Sequence, residues 1–526
     1  MECIVLEALL EECCGQRVSN TKGHSMGLCM YLRSTLESLY SEQRFGFCDG
    51  LRGIAVLWVC SLHAGVFTNL IPTDPSWWFL WPIFNGTAGV DVFLVLSGFL
   101  IGGALCRELM GTGRLAIVKF AVRRFWRIYP VLACAVLLHA ILLPSMGACP
   151  YKVWWMNLYL LNNFPAQDLF RGCVDQAWSV SLELQLYFAT PPLFALASLL
   201  SSRVLKGGIT SPRCAAALAA LLWLSSTLWR LAAVFSQDLV GQSISPSGGG
   251  VTFYMHTQYR CGAYLAGLIA GIAAVTHRQD DPACTESGCR VSTAALAVSL
   301  LIWGLTLFYG VDADSTYKGD FPTVAALHLA LWRPIFGVAV AGIVFLCASG
   351  QAPRLARWLG SAAWRPVARL SYSMYLLQFV GLATVDRPFE GLMRITSDAD
   401  SRAWLRTIAF FTVVMVFILG SMVLAILSYL LVERPGMLLG KLCIDLLPGA
   451  RASGAASKGE EGGSARYEIG DRGSQAELGQ DLEAAPNIES SQASRETTDI
   501  GSSDGQETSE SHMASFAEVG EPSPQV

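Results

Sequence analysis

About ten apolar stretches, each near the 20 residues a helix needs to cross roughly 30 Å of hydrocarbon, constrain the fold of this 526-residue chain more than anything else in it. They cover residues 51–70, 83–105, 128–144, 178–200, 214–235, 259–276, 292–310, 328–348, 370–386 and 404–431. Lipid offers the backbone no hydrogen-bond partners, so a spanning segment must satisfy its own amides, and runs of this length do so as α-helices. The sequence therefore predicts an all-α, multi-pass transmembrane helix bundle. Composition agrees: 53% of residues are hydrophobic and 15% charged, where soluble domains carry about 25% charged residues. A net charge of −4 without a basic face excludes a nucleic-acid partner. Membrane lipids are the expected surroundings.

Lys and Arg set the orientation, because short cytoplasmic loops hold the excess. Arg107, Arg114, Lys119, Arg123, Arg124 and Arg127 follow the second stretch. Arg203, Lys206 and Arg213 follow the fourth, and Arg354, Arg357, Arg365 and Arg369 the eighth. These connections and both termini are expected in the cytoplasm, beneath a plasma membrane or endomembrane. The connection 144–176 then faces the lumen or exterior, where Cys149 and Cys173 can oxidise to a disulfide. Its aromatic run Trp154 to Tyr159 suits the membrane interface. The 16 cysteines are scattered rather than grouped, so no metal site is expected. Glu2, Glu7, Glu11 and Glu12 interrupt the first apolar run, and the first span is expected to act as its own signal. Three regions follow: an N-terminal cytoplasmic arm (1–44), a membrane domain (45–448) and a tail (449–526). The tail holds 5 basic and 15 acidic residues and too little apolar surface to offset chain entropy, so it is expected to be disordered.

An ionisable residue inside a span is costly unless paired or wet, which makes each one a functional candidate. Arg52 and His63 lie eleven residues apart, close to three helical turns, on one face of the first span and about 16 Å apart along it. Asp91 in the second span and Glu183 in the fourth fall at a similar expected depth, so a carboxylate is expected to pair with His63 and fix its tautomer. Arg260 near the start of the sixth span and Arg333 within the eighth are further candidates. Either also serves as an ordinary interhelical partner. Arg124 and Arg127, at i and i+3, share a face and suit a phosphate held bidentately; a positive-inside cluster explains them equally. With Arg52 they form a basic mouth where a nucleotide-bearing cosubstrate can dock. Gly86, Gly89, Gly98, Gly102 and Gly103 permit close helix contact.

These motifs resemble the acyltransferase-3 family of multi-spanning O-acyltransferases, whose eukaryotic branch includes the nose-resistant-to-fluoxetine proteins. The likeness runs from about Phe47 to Pro435. It rests on Arg52 and His63 separated by ten residues, Asp91 with Ser97-Gly98-Phe99, the Arg-x-x-Arg of Arg124 and Arg127, and Trp178-Ser179 through Glu183 to Tyr187. Tyr259-Arg260-Cys261-Gly262 and Glu433-Arg434-Pro435 extend it. One position departs: Ser371-Tyr372-Ser373-Met374-Tyr375-Leu376-Leu377-Gln378 carries Gln378 where the family has a histidine. If that histidine moves protons in relatives, this chain dispenses with the step or has lost activity; if it only donates a hydrogen bond, glutamine suffices. The hydrolase-like domain that some bacterial members append has no counterpart in the sequence, so transfer is expected to finish within the membrane domain.

The resemblance implies an acyltransferase that moves an acyl group, acetyl above all, from cytoplasmic acyl-CoA to a hydroxyl acceptor on a carbohydrate or lipid at the lumenal or outer side. Arg52, Arg124 and Arg127 would hold the donor, and His63, Asp91 and Glu183 would carry the chemistry. Arg260, Tyr187, Gln378 and Arg333 would contact substrate. The rival expectation is a carrier of lipophilic compounds or lipids that keeps the fold without the reaction.

Overall fold

The computed structural model describes residues 24–67, 80–142, 154–164, 173–204, 206, 208–237, 239, 253–280, 286–307, 322–386 and 403–446. All belong to the unit Met1–Glu483; the unit Ala484–Val526, the rest of the tail and Cys149 lie outside the described residues. No strand occurs among the described residues. The helices are α1 (His24–Tyr40), α2 (Phe47–Phe67), α3 (Trp81–Phe84), α4 (Ala88–Thr112), α5 (Ile117–Leu142), α6 (Trp154–Leu158), α7 (Trp178–Leu199) and α8 (Ser211–Gln237). They continue as α9 (Thr257–Asp280), α10 (Glu286–Leu307), α11 (Pro322–Ala348), α12 (Pro353–Leu359), α13 (Trp364–Asp386), α14 (Ala403–Ser428) and α15 (Arg434–Asp445).

Among the described residues eight helical stretches are long and apolar enough to cross a membrane. The expected spans 292–310 and 370–386 also lie on helices, α10 and α13, which are not among these eight. Among the described residues of α10, Ala294–Leu305 form an apolar stretch. In α13, Ser371, Ser373 and Gln378 are buried against other helices rather than turned to lipid. A second difference concerns α5, which begins at Ile117, so Arg123, Arg124 and Arg127 lie inside the helix rather than ahead of it. Pro130 sits within α5 and cannot donate to the Trp126 carbonyl; Gly436 of α15 packs beside that carbonyl.

Helices at the periphery show their lipid-facing sides. Leu137 and Ile141 of α5, Leu221 and Leu228 of α8 and Val423 of α14 are all exposed, a surface that water would penalise and lipid covers. By contrast α4 is buried on nearly every side, as expected for the centre of a bundle. Glycines let its neighbours reach it. Gly98 and Gly102 of α4 meet the Tyr264 and Leu268 backbone of α9, while Gly267 and Gly271 of α9 meet the Val95 and Phe99 backbone of α4. Two Gly-x-x-x-Gly faces thus interlock, a contact driven by dispersion and close backbone approach. A Cβ at Gly267 would fall on the Val95 carbonyl. Gly267→Val is therefore expected to cost about 3 kcal/mol and to collapse the monodisperse peak in size-exclusion chromatography of the detergent-solubilised protein; an unchanged elution profile and melting temperature would contradict this packing.

Gly86, just ahead of α4, lies against Trp58 and Leu62 of α2, and Gly89 against Ala55 and Val59. The two helices are therefore antiparallel, with residue 89 level with about residue 57. This register matters for the site.

Cys173 is disulfide-bonded, as expected of it. The run Trp154 to Tyr159 begins as the short helix α6, with Trp154, Trp155 and Tyr159 exposed. Asn157 donates to the Val174 carbonyl at 2.9 Å and ties this segment to the entry of α7. At the opposite end, a wider π-helical turn over Tyr429–Glu433 separates α14 from α15. The N-terminal helix α1 packs there, Tyr31 donating to the Leu430 carbonyl at 2.7 Å and Ser38 lying 3.0 Å from the Tyr429 hydroxyl.

Candidate functional site

Four helices of the bundle, α2, α4, α5 and α7, join α13 around one cavity of about 870 Å³, open space at its mouth included. Arg52, Arg124 and Arg127 line it, as do Glu183, Tyr187 and Ser97. The three arginines of the expected basic mouth thus line one cavity, from two helices distant in sequence, α2 and α5. Helical spacing alone put Arg124 and Arg127 on one face; packing brings Arg52 of α2 beside them.

Glu183 is held tightly. Its Oε1 accepts hydrogen bonds from the Ser97 hydroxyl and from the Tyr187 hydroxyl one turn along α7. The two hydroxyls lie 3.0 Å apart. Oε2 has no hydrogen-bond partner among the described residues. The Arg124 guanidinium sits over the Tyr187 ring, 5.2 Å from its centroid, an attraction that strengthens away from water. The register of α7 is fixed at its other face by Gln185, which donates to the Leu160 carbonyl at 2.9 Å and accepts from Thr257 of α9 at 2.5 Å. That network holds Glu183 toward the cavity.

His63 does not join this group, and its expected pairing with Asp91 does not occur. The physical reason is the register of α2 against α4. Asp91 lies level with about residue 55, so His63 is displaced from it by eight residues, about 12 Å along the axis. Equal depths follow only if the expected spans 51–70 and 83–105 end at one plane, and the contacts of Gly86 and Gly89 set a different register. His63 instead meets Gln378 of α13, Nδ1 to Oε1 at 2.9 Å. Gln378 Nε2 donates to the Tyr375 carbonyl at 2.8 Å, which turns the amide oxygen toward the imidazole. An amide oxygen only accepts, so Nδ1 of His63 carries its proton and Nε2 is the basic nitrogen. Gln378 was expected as a substrate contact, or as a donor in place of the family histidine; it is fully buried and accepts. Its neighbour Tyr375 lines the cavity and bonds Ser179 at 2.8 Å and the Gln176 carbonyl at 2.7 Å.

Asp91 has cationic partners. Arg333 Nη1 reaches its Oδ2 at 2.6 Å and Arg260 Nη2 its Oδ1 at 3.2 Å. Arg333 also donates to Thr87 at 3.2 Å. Arg260 and Arg333 are stacked over aromatic rings, both over Tyr254 at 5.1 Å, Arg260 also over Trp178 and Arg333 over Trp332. Arg260 and Arg333 were expected near substrate; the structure gives them to one carboxylate.

Two functional-site features escaped the sequence reading. Ser97 was quoted only as part of a motif, yet its hydroxyl completes the Glu183 triangle. Arg230 was passed over, although a lone arginine within an apolar span is itself a signal. It donates to the carbonyls of Ala330, Leu329 and Tyr259 at 2.8 to 3.0 Å. Pro334 has no amide hydrogen to give Ala330, and Arg230 supplies the missing donor. Among the described residues no group of His, Cys, Asp and Glu is arranged to hold a metal ion.

Comparison with known proteins gives the family. A family model described as an acyltransferase domain matches residues 45–428. The O-acetyltransferase OatA of Staphylococcus aureus (strain NCTC 8325 / PS 47) is 28% identical over 173 residues, covering 30% of this chain and 26% of that protein. A putative O-acetyltransferase of Staphylococcus aureus (strain COL) is 25% identical over 358 residues, covering 64% of this chain and 50% of that protein. The chain thus spans half or less of the length of these curated relatives. No solved structure matches.

Proposed function

Since the chain belongs to the acyltransferase-3 family, we propose that it is a multi-pass membrane O-acyltransferase that takes an acyl group, acetyl above all, from acyl-CoA on the cytoplasmic side and passes it to a hydroxyl acceptor on the lumenal or outer side. The observation that carries this reading is the cavity where Arg52, Arg124 and Arg127 converge with Glu183 and Tyr187. Three guanidiniums in one partly enclosed space suit the phosphates of a nucleotide thioester. Basic loops on that side support a cytoplasmic mouth, and the disulfide of Cys173 supports an oxidising compartment opposite.

In this reading the acceptor oxygen attacks the thioester carbonyl. His63 Nε2 takes the hydroxyl proton as the C–O bond forms, the C–S bond breaks, and the imidazolium returns the proton to the departing thiolate. Gln378 keeps the tautomer that leaves Nε2 basic. Val90 lines the cavity and lies level with about residue 56, so His63 stands about 10 Å beyond it toward the other end of α2. An extended pantetheine arm, phosphates at the arginines, would have to cover that distance. The acceptor is a carbohydrate or lipid hydroxyl.

A second reading of the chemistry rests on one observation: Glu183 lines the cavity and His63 does not. Glu183 would then be the general base, its second oxygen free for the acceptor proton. Labelled acetyl-CoA incubated with the purified protein in lipid vesicles tests both. Glu183→Gln is expected to lower kcat by about 10²-fold or more if Glu183 is the base, and less than about tenfold if His63 is. Absence of both donor binding and label transfer, with other acyl chains also tried, would sink the transferase and favour a non-enzymatic carrier of lipophilic compounds.

A further inference from the structure

Three arginines from three helices surround a single carboxylate. Arg230 and Arg260 are each 2% exposed, and the Arg333 side chain is 11% exposed. Among the described residues Asp91 is the only acidic group paired with any of them. One negative charge cannot neutralise three positive ones, and unpaired charge in a low-dielectric interior is retained only where something compensates it. The donors are also unfilled. Among the described residues, Nε and Nη1 of Arg260 have no hydrogen-bond partner although the side chain is 1% exposed. Arg230 is different, because each of its three nitrogens donates to a backbone carbonyl.

The location is equally specific. Asp91 directly follows Val90, and Trp178 directly precedes Ser179; both Val90 and Ser179 line the cavity. The cluster therefore abuts the cavity wall through its immediate chain neighbours. It lies at the N-terminal ends of α4 and α9, which carry Asp91 and Arg260, and at the middle of α11, which carries Arg333, away from Arg124 and Arg127. On the proposed orientation that is the acceptor's side. The aromatic rings of Trp178, Tyr254 and Trp332 occupy the guanidinium faces, which leaves the guanidinium edges, where N–H groups point, for an oxyanion.

We propose that Arg260 and Arg333 form the subsite for an oxyanion, a carboxylate or phosphate, borne by the molecule that receives the acyl group, with Asp91 as the internal counterion it displaces or shares. Calling the bearer the acyl acceptor rests on the transferase reading; the anion site itself does not. The acceptor is accordingly an acidic sugar or an anionic lipid rather than a neutral one.

The test uses the full chain in nanodiscs of zwitterionic lipid, with thermal unfolding as the readout at constant ionic strength. The soluble probes are methyl glucuronide and neutral methyl glucoside; phosphatidic acid replaces part of the lipid in a separate arm. Methyl glucuronide or phosphatidic acid is expected to raise the unfolding midpoint saturably, methyl glucoside not at all, and the arm that responds identifies the anion's source. Arg333→Gln is expected to raise the half-saturating concentration at least tenfold. Asp91→Asn removes the competing carboxylate, so it should lower the midpoint without anion and gain more from anion than the wild type does. This second variant decides the matter where Arg333→Gln fails to fold. No shift with either anion, an equal shift in Arg333→Gln, or no extra gain in Asp91→Asn overturns the proposal. Acetyl-CoA binding, measured on the same preparation, is independent: its absence beside an intact anion response counts against the transferase reading alone.

Discussion

His63→Ala is expected to lower acetyl transfer by about 10²- to 10⁴-fold, the usual worth of a positioned general base, with acyl-CoA binding retained. The expectation follows from the His63–Gln378 contact. Because Gln378 Oε1 can only accept, the imidazole is locked with its proton on Nδ1 and its lone pair on Nε2. Gln378→Leu should therefore reduce kcat while His63 remains, since the tautomer is no longer enforced. Gln378→His, which restores the residue typical of the family, should keep most of the activity, because a neutral histidine also presents an acceptor nitrogen. Single-turnover transfer from labelled acetyl-CoA to acceptor measures all three. Wild-type turnover in His63→Ala would remove His63 from the chemistry and leave Glu183 as the candidate base.

Removal of the paired guanidiniums should have the second largest effect, and on a different parameter. Arg124→Ala and Arg127→Ala each take away a charge-assisted contact of about 1.5 to 3 kcal/mol, or roughly 10- to 100-fold in acyl-CoA affinity, and the effect should shrink as salt rises. The change should appear in KM for acyl-CoA more than in kcat, because the arginines hold the phosphates and not the reacting carbonyl. Arg124→Ala also removes the cation from the Tyr187 ring, so its kcat should fall somewhat more than that of Arg127→Ala. Equilibrium binding of labelled acetyl-CoA to both variants, across salt concentrations, separates these contributions. Unchanged affinity in both would show that the cavity is not the donor site.

Much of this protein is legible in its sequence because a membrane leaves so few structural choices. Apolar runs of span length dictate helices, since only a helix satisfies its own backbone in lipid. The sequence places helices at α10 and α13, but α13 hides its polar residues against neighbouring helices, which composition cannot reveal. Charged residues in apolar surroundings pointed to Arg52, His63, Asp91, Glu183, Arg260 and Arg333, and spacing put Arg124 and Arg127 on one face. The small residues that allow α4 and α9 to interlock were visible too, though not what they would touch.

What the sequence determined by itself was the material class, the helices and the identity of the few polar groups placed within them. Which of those groups meet was decided only by the tertiary structure. Depth counted along a single helix presumes that every helix starts at the same plane. The contacts of Gly86 and Gly89 with α2 set a different register, and a shift of eight residues moves a side chain about 12 Å, several times the length of a hydrogen bond. That shift gave His63 to Gln378 and Asp91 to two arginines, while leaving Glu183 with Ser97 and Tyr187. Periodicity within a helix is local and can be read along the chain; register between helices is fixed by side chains and glycine contacts from distant segments, and it exists only once they pack.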